Sequence, residues 1–224
     1  MKINNPLYNK QGIHVICSIF TVDKGITKVL LIKRKNNPFN GMWALTGGAL
    51  YNNEDLIDGM KREIKEKTGI TDIDLYLSNV FGKVDRSPIM RMIAITYIGV
   101  IDNKRVNILN ETLKTSNADW FDLDNIPELA YDHNEILDKA IETLRNKITN
   151  TDILKSLFPE GFVIPEIQKV YETILNTTFD RRNFRKKLLS TDLIIDTNKE
   201  KIFDGTKPAK IYKFKDIKKN KNVF

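Results

Sequence analysis

Three charged residues between positions 60 and 70 have the spacing of groups that work together on one helix face. Glu63 and Glu66 are three residues apart and Lys67 is four residues after Glu63, so a helix projects all three from the same side. Two carboxylates one turn apart can bind a hard divalent cation such as Mg²⁺, which prefers oxygen ligands and bridges substrate phosphates. Such an ion clamps a pyrophosphate and activates water for attack on phosphorus. The spacing therefore indicates phosphate chemistry.

The residues around this segment add candidate ligand contacts. Gly47 and Gly48 stand before it and let the backbone approach a bound group closely, while the N-terminus of a helix attracts anions. Arg34, Asp85 and Arg86 lie at the ends of strand patterns near the expected cleft. Each of these three is either a ligand contact or an ordinary solvated charge, and the sequence leaves both interpretations open.

A second candidate site is a cluster of basic residues near the C-terminus. Phe184 and Leu188 are four residues apart and define the buried side of a helix over 180–190 that Asp180 caps. Asp180 is also the one acid between positions 177 and 191, whereas an ordinary exposed helix face mixes signs in i,i+4 pairs. The alternative interpretation is a solvated basic face. The residues that point away from the buried side, or flank it, are Arg181, Arg182, Asn183, Arg185, Lys186 and Lys187.

The elements that position the first site alternate strands with helices over residues 1–148. We predict strands at 14–22, 28–34, 75–81, 91–101 and 119–121, the first two joined by the turn Asp23-Lys24-Gly25. We predict one helix over 52–67, with Asn52 and Asp55 as a capping pair and Gly69 as the stop. A second helix over 133–148 is predicted to open with a capping box formed by Asp132 and Glu135.

After a polar break at 149–151 the pattern changes to two short helices and a hairpin. Pro165 opens the first helix, the basic segment forms the second, and strands at 193–196 and 210–215 follow. This is the order of a winged helix, in which the second helix lies in the DNA major groove with Arg and Asn reading bases and Lys holding phosphates. Lys207 and Lys210 flank Pro208 on the wing. We therefore predict two domains, 1–148 and 149–224.

The distribution of charge supports this division and excludes other classes. The net charge is +7, and residues 149–224 contain 16 Lys and Arg against 10 Asp and Glu, so residues 1–148 are nearly neutral. A basic C-terminal part on a neutral body suggests contact with a polyanion. No apolar run approaches 18 residues and no apolar segment follows the first charges, so we expect neither membrane span nor secretory signal. The single cysteine, Cys17, lies in an apolar strand pattern, and we expect a cytoplasmic protein.

The first site resembles the Nudix box, whose signature is G-x5-E-x7-R-E-U-x-E-E-x-G-U with U aliphatic. The chain reads Gly48-x5-Glu54-x7-Arg62-Glu63-Ile64-x-Glu66-Lys67-x-Gly69-Ile70, so it departs from the signature at Lys67. The resemblance implies a Nudix fold, of α/β (α+β) class with a mixed sheet between helices. It also implies that Glu63 and Glu66 are the catalytic and metal-binding residues. Lys67 stands where the family has a further metal-binding glutamate, and it impairs that site.

The C-terminal part resembles the winged helix-turn-helix domain of Nudix-related transcriptional regulators of the NrtR type. The segments RRNFRKK and KPAKIYKF carry this resemblance. It implies a homodimer that binds double-stranded DNA, represses genes of NAD metabolism and leaves DNA when ADP-ribose binds. Relatives that sense pentose sugars leave a sugar metabolite open as the effector. The sequence DRSP at 85–88 departs from the DRDP expected in several relatives. This difference leaves the identity of the effector open.

We conclude that the chain is a DNA-binding transcriptional repressor. Its degenerate Nudix domain is expected to sense the effector. DNA binding needs no cofactor, and any Mg²⁺ binding is weak. The alternative is a Mg²⁺-dependent hydrolase of ADP-ribose or a related nucleoside diphosphate derivative; a bifunctional protein is a third interpretation. The predicted ligand contacts are Arg34, Gly47, Gly48, Arg62, Lys67, Asp85 and Arg86.

Overall fold

A seven-stranded mixed sheet organises the N-terminal part of the computed structural model, which describes residues 10–203 and 207–215. The strand order is β3-β2-β1-β6-β5, with β4 paired to β1 and β7 paired to β2; β1 and β6 run parallel and the other pairs are antiparallel. The strands are β1 (Gln11–Asp23), β2 (Ile26–Arg34), β3 (Trp43–Ala44), β4 (Thr46–Ala49), β5 (Tyr76–Phe81), β6 (Arg91–Val100) and β7 (Thr115–Asp122).

One helix packs on each side of this sheet. Successive residues of a strand point to opposite faces, and β1 accordingly sends Ile16 and Phe20 to one core and Val15, Cys17 and Ile19 to the other. The first core contains α2 (His133–Lys147), and the second contains α1 (Leu56–Thr68). The mixed sheet between helices and the Nudix fold class are thereby confirmed.

The predicted side-chain caps of the two sheet helices are wrong, although α2 begins at His133 as predicted. Helix α1 begins at Leu56 rather than at position 52, and neither Asp55 nor Asp132 makes a side-chain cap. The segment before α1 is instead fixed by Glu54, which binds Arg62. The carboxylate of Asp132 binds Arg86, because an ion pair with a guanidinium is stronger than a bond to a backbone amide. Gly69 ends α1 in the left-handed region with φ of 80°, as predicted.

The C-terminal part is a winged helix, as predicted. It comprises α3 (Ile164–Leu175), α4 (Arg181–Ser190) and the antiparallel hairpin of β8 (Ile194–Lys201) and β9 (Ala209–Phe214). Asp180 caps α4 by accepting a bond from the backbone amide of Asn183 at 2.9 Å. Phe184 and Leu188 are the buried residues of α4, which is the face that the sequence pattern indicated.

The winged helix shares a continuous hydrophobic core with the sheet. Ile16 and Phe20 of β1, Leu144 of α2, and Ile167 and Tyr171 of α3 belong to the same buried cluster. The hydroxyl of Tyr171 donates to the carbonyl of Ile148 at 2.5 Å. The polar segment at 149–151 therefore does not interrupt the hydrophobic core between the sheet and the winged helix. The division into 1–148 and 149–224 stays a prediction, and residues 1–9 and 216–224 at its outer limits lie outside the described ranges.

No helix within residues 10–203 and 207–215 is long and apolar enough to cross a membrane.

Candidate functional site

Arg62 is the centre of the ion-pair network at the start of α1. Its Nε and Nη2 donate to the two carboxylate oxygens of Glu54 at 2.8 and 2.7 Å, and its Nη1 donates to Glu63 at 2.6 Å. Nη2 also donates to the carbonyl of Ala49 at 2.9 Å. The hydrogen bonds from Arg62 lower the pKa of Glu54 to about 2. Arg62, predicted as a ligand contact, is thus engaged in fixing the loop between β4 and α1.

Lys67 occupies the interior of the site. Its side chain is buried, Nζ lies 3.0 Å from Glu63 Oε2, and Nζ also donates to the carbonyl of Gly47. Lys67 and Glu63 therefore form an ion pair between two buried side chains. Burial raises the pKa of Glu63, but the Lys67 and Arg62 cations outweigh it and hold that pKa below its ordinary value.

A glycine is needed at position 48 because the carboxylate of Glu63 lies against the Cα of Gly48. A Cβ at Gly48 would come within 2.4 Å of Glu63 Cδ, and a Cβ at Gly47 would come within 2.4 Å of the carbonyl oxygen of Val15. The two glycines therefore allow β4 to lie between β1 and α1. Gly48 packs its backbone against the Glu63 carboxylate, and Gly47 packs against β1.

The donor set of this site does not fit the metal that a Nudix hydrolase uses. Glu63 is paired with Arg62 and Lys67, and Glu66 is 2.7 Å from Lys114 Nζ and 3.5 Å from Arg62 Nη1. Three cations thus surround two carboxylates. In the described part of the chain, no group of three or more His, Cys, Asp and Glu side chains is placed to hold a metal ion. A hard divalent cation needs several oxygen ligands, and here an ammonium group takes the place of one.

A cleft of about 370 Å³ opens beside Asp85 and Arg86, two of the predicted ligand contacts. Asp85 and Arg86 line it from the loop between β5 and β6, as do Tyr131 and Asp132 from the start of α2. Arg86 is buried and donates from Nε and Nη2 to the two oxygens of Asp132 at 2.8 and 2.7 Å. A larger cavity of about 530 Å³ lies at the C-terminal end of α1 and contains none of the predicted residues.

Two aromatic residues that the sequence pattern did not single out form one wall of this cleft. Phe39 and Tyr131 both line it, and their ring centroids are 4.5 Å apart. Both have positive φ, 64° and 57°, a conformation that costs energy for a side chain and is concentrated at ligand-binding positions. Arg34 joins them: Nη2 donates to the hydroxyl of Tyr131 at 3.3 Å, and Nε and Nη2 donate to the carbonyl of Pro38.

Two neutral histidines lie among the cations of the site. Burial, together with the charges of Arg86, Arg34 and Lys67, lowers the pKa of His133 to about 3. Burial and the same three cations lower the pKa of His14 to about 4. His133 Nδ1 accepts a hydrogen bond from the backbone amide of Leu45 at 3.0 Å. Arg34, Lys67 and Arg86 each lower the pKa of both rings, so the three cations lie in one region of the site.

The basic residues of α4 are presented as the sequence predicts. All six predicted contacts of this helix are exposed: Arg181, Arg182, Asn183, Arg185, Lys186 and Lys187. Within residues 10–203 and 207–215, none of the five cations among them has an acidic partner within ion-pair distance. On the wing, Lys207 and Lys210 are also exposed, but Lys210 is 2.7 Å from Asp196. Lys210 therefore has part of its charge compensated within the wing.

Sequence reasoning found most of the charged residues and missed the aromatic ones. The structure brings together Glu63, Lys67, Gly47 and Gly48, and it places Arg86 and Asp85 in the neighbouring cleft. The missed residues are Phe39, Tyr131, His14 and Lys114. Lys114 reaches Glu66 from a loop 48 positions away along the chain, and no local pattern indicates such a contact.

Two family models match the chain and together cover most of it. One is described as the NUDIX domain and matches residues 11–144. The other is described as the NrtR DNA-binding winged helix domain and matches residues 154–214. The two matches follow each other along the chain in the order of the sheet and the winged helix described above.

Known proteins with related sequence and structure include regulators and an enzyme. The ADPR responsive transcriptional repressor NtrR of Acinetobacter baylyi is 31% identical over 201 residues, which are 88% of this chain and 79% of that protein. The ADP-ribose pyrophosphatase of Methanocaldococcus jannaschii is 40% identical over 114 residues, 49% of this chain and 63% of the enzyme. The crystal structure of Shewanella oneidensis NrtR complexed with a 27mer DNA superposes with a TM-score of 0.75 at 26% identity, covering 91% of this chain and 93% of that one.

Proposed function

The chain belongs to the NrtR family of Nudix-related transcriptional regulators, and from this premise we propose that it is a DNA-binding repressor whose Nudix domain binds ADP-ribose without efficient hydrolysis. The observation that carries the proposal is the buried ion pair of Lys67 with Glu63. It neutralises a carboxylate that a hydrolase would use for its metal. A site of this kind retains the shape and positive potential for a phosphorylated ligand and loses the means to cleave it.

The cleft beside the box suits a nucleoside diphosphate sugar. Arg34 and Arg86 supply guanidinium groups at this cleft, and guanidinium groups bind phosphate oxygens in pairs. The rings of Phe39 and Tyr131 supply an apolar surface on which a base can stack. We therefore propose that the predicted contacts Arg34, Gly47, Gly48, Lys67, Asp85 and Arg86 surround the ligand, with Arg62 holding Glu54 and Glu63 in position.

The exposed basic face of α4 supports the DNA-binding part of the proposal. Arg182, Asn183 and Lys186 point away from the buried residues of this helix, which is the side that a recognition helix presents to the major groove. Lys207 lies on the wing, where it can reach the adjacent phosphate backbone. We propose that two copies bind one roughly palindromic operator, since a twofold dimer matches a twofold site.

The proposal is tested by fluorescence anisotropy on DNA from the region upstream of the gene. Wild-type protein should bind, and ADP-ribose should release the DNA. The logarithm of the affinity should fall with the logarithm of salt concentration at a slope of about −0.9 per phosphate contact. Arg182→Ala with Lys186→Ala should abolish DNA binding and leave ADP-ribose binding intact by calorimetry. The matched control is Lys61→Ala with Lys65→Ala, which removes the same charge from exposed positions of α1. Equal binding by both double variants would reject the assignment of α4.

The alternative function is a Mg²⁺-dependent ADP-ribose hydrolase. The repressor is similar over 88% of this chain and the ADP-ribose pyrophosphatase over 49%, so the comparisons do not favour this alternative. Members of the Nudix family that hydrolyse nucleotides use Mg²⁺, and Glu63 and Glu66 are the residues of this chain that would hold it. Rapid Mg²⁺-dependent turnover of ADP-ribose by the wild-type protein would replace the sensor proposal with the enzyme. The boundary at residue 148 and a cytoplasmic location stay predictions.

A further inference from the structure

An apolar cavity of about 430 Å³ lies in the winged helix between α3 and α4, and we call it the α3–α4 cavity. The ring centroids of Tyr171 and Phe184 are 5.4 Å apart, and those of Phe179 and Phe184 are 5.6 Å apart. Protein interiors rarely leave voids larger than a water molecule, whereas pockets for organic ligands measure roughly 300–1,000 Å³. The cavity therefore has the size of a ligand pocket. Its apolar walls are formed by Tyr171, Leu175, Phe179, Phe184 and Leu188.

Three hydroxyl groups of the cavity walls are already bonded to the backbone. The side chains of Thr149, Tyr171 and Thr191 line the cavity, and each hydroxyl donates to a backbone carbonyl at 2.5 to 2.8 Å. These three residues therefore present a ring and methyl groups to the interior. Burying a polar group against such walls without a partner costs free energy, so the part of a ligand that enters the cavity should be apolar.

The turn between α3 and α4 fixes the aromatic wall of the cavity. The backbone amide of Phe179 donates to the carboxylate of Glu172 at 2.8 Å, and its carbonyl accepts from the side-chain amide of Gln168 at 2.9 Å. Gln168 is buried and also donates to Glu172 at 2.9 Å. The position of Phe179 is thus set before a ligand binds, and a preformed site loses little conformational entropy on binding.

The exposed side of the cavity is positively charged. Asn183 and Lys187 line it one turn apart on α4, and both are exposed. Asp180 also lines the cavity, but its carboxylate accepts a hydrogen bond from the backbone amide of Asn183 at 2.9 Å. Residues 177–191 contain five Lys and Arg against this one acid. The surrounding charge therefore favours an anion over a cation at this side.

We propose that the α3–α4 cavity binds an aromatic organic acid. The flat apolar body lies among the rings of Tyr171, Phe179 and Phe184, and the carboxylate accepts hydrogen bonds from the side chains of Lys187 and Asn183. The cavity shares no lining residue with the cleft beside Arg86, so this site is distinct from the one proposed for ADP-ribose.

Occupation of the cavity has a consequence for DNA binding. Asn183 and Lys187 line the cavity and are also predicted DNA contacts, so a bound acid engages two groups that the DNA would use. A ligand in the cavity should therefore weaken DNA binding. This consequence rests on the proposed function, whereas the ligand site itself does not.

The first test measures the binding of 2-naphthoate to the full-length protein by calorimetry. The wild-type protein should bind 2-naphthoate about tenfold or more tightly than 2-naphthylmethylamine, which has the same ring system and the opposite charge. Lys187→Glu should weaken 2-naphthoate binding by a similar factor. Lys186→Glu is the matched control, since Lys186 is the adjacent exposed lysine of α4 and does not line the cavity. Equal affinity for the two compounds, or for the two variants, would overturn the proposal.

The second test fills the cavity. Leu175 is half-buried and lines the cavity from α3, so Leu175→Trp should abolish 2-naphthoate binding, with circular dichroism showing that the variant is folded. Leu189→Trp is the control, because Leu189 is 43% exposed on α4 and does not line the cavity. Undiminished binding by a folded Leu175→Trp variant would overturn the location. If that variant does not fold, the exposed position Lys187 decides the question through Lys187→Glu.

Competition separates this site from the proposed function. ADP-ribose should not displace 2-naphthoate from the wild-type protein, and displacement would overturn the proposal because 2-naphthoate would then occupy the cleft beside Arg86. In fluorescence anisotropy, saturating 2-naphthoate should weaken DNA binding, and an unchanged DNA affinity would overturn that consequence. Failure of the wild-type protein to bind DNA or ADP-ribose would count against the proposed function instead, since calorimetry with 2-naphthoate needs neither.

Discussion

The ammonium nitrogen of Lys67 lies 3.0 Å from Oε2 of Glu63, and both side chains are buried. Burial lowers the pKa of Lys67, and the charge of Glu63 opposes that shift. The same pairing, together with Arg62, holds the pKa of Glu63 below its ordinary value although burial raises it. The ion pair is therefore neutral at the position where metal binding requires negative charge, and one substitution in the box accounts for this.

Lys67→Glu should raise the rate of Mg²⁺-dependent ADP-ribose hydrolysis at least tenfold over the wild-type protein. The change removes the ammonium and adds a third carboxylate beside Glu63 and Glu66, so that the oxygen donors of the Nudix signature are complete. Chromatographic measurement of the cleavage products gives the rate. Lys65→Glu makes the same charge change at an exposed position of α1 and should have no effect. A rate for Lys67→Glu no higher than for Lys65→Glu would contradict the interpretation of Lys67.

Gly48→Ala should destabilise the protein by about 1–3 kcal/mol, because overpacking displaces a buried side chain. The added Cβ would come within 2.4 Å of Glu63 Cδ, and moving Glu63 also lengthens its contacts with Arg62 and Lys67. Urea unfolding measures the free energy. Gly82→Ala is the control, since the nearest atom to a Cβ there is Arg91 Nη2 at 3.8 Å. Equal unfolding free energies for the two variants would argue against close packing at Gly48.

Acid should destabilise the wild-type protein partly through His133. Its pKa in the folded protein is about 3, against 6.5 for an ordinary histidine. Below pH 6.5 this histidine is protonated in the unfolded chain and stays neutral in the folded chain. The free energy of unfolding therefore falls as the pH falls towards 3, by about 1.4 kcal/mol per pH unit for one proton. His133→Asn keeps an acceptor for the Leu45 amide and removes the titration. Unfolding free energies measured between pH 7.5 and 5 should decline less steeply in this variant.

His14 supplies the comparison for that experiment. Its folded pKa is about 4, so it acts in the same direction and remains in the His133→Asn variant. A residual pH dependence is therefore expected, and it should be smaller still when His14→Asn is combined with His133→Asn. If the pH dependence of His133→Asn equals that of the wild-type protein, another group is responsible.

The Arg86–Asp132 pair should be strongly coupled in a double-mutant cycle. The Arg86 side chain is 2% exposed, and removing one member of a buried pair leaves an uncompensated charge, at a cost of roughly 3–5 kcal/mol. Arg86→Ala with Asp132→Ala should cost much less than the sum of the single changes. The exposed pair Lys83–Glu135 joins the same loop to α2 at 2.7 Å and should show a much weaker coupling, because solvent screens it. Comparable couplings for the two pairs would show that the Arg86 pair is solvent-screened.

The fold was largely predictable because its strands and helices have strong apolar periodicity. Predicted strands at 14–22 and 28–34 correspond to β1 and β2, and the predicted turn Asp23-Lys24-Gly25 has positive φ at Lys24 and Gly25. The start of α1 and the cap bonds were less predictable: α2 begins at His133 as predicted, but neither Asp55 nor Asp132 makes the bonds that its residue type suggests. Whether a carboxylate caps a helix or pairs with a distant arginine depends on the tertiary structure.

The site was predictable where its residues are close in sequence and not where they come from separate loops. The Glu63–Lys67 contact follows from a spacing of four on one helix. The contact of Lys114 with Glu66 joins α1 to a loop before β7, and the pairing of Phe39 with Tyr131 joins two loops. Both depend on how the sheet brings these loops together, which local periodicity does not specify.

The buried core that runs from β1 through α2 to α3 joins the sheet to the winged helix. Ile16, Leu144 and Ile167 belong to one buried cluster, and such an interior resists shear because it is close-packed. The sheet and helix α4 are therefore expected to move as one body. A ligand that binds beside Arg86 would then shift helix α4 only together with the whole sheet.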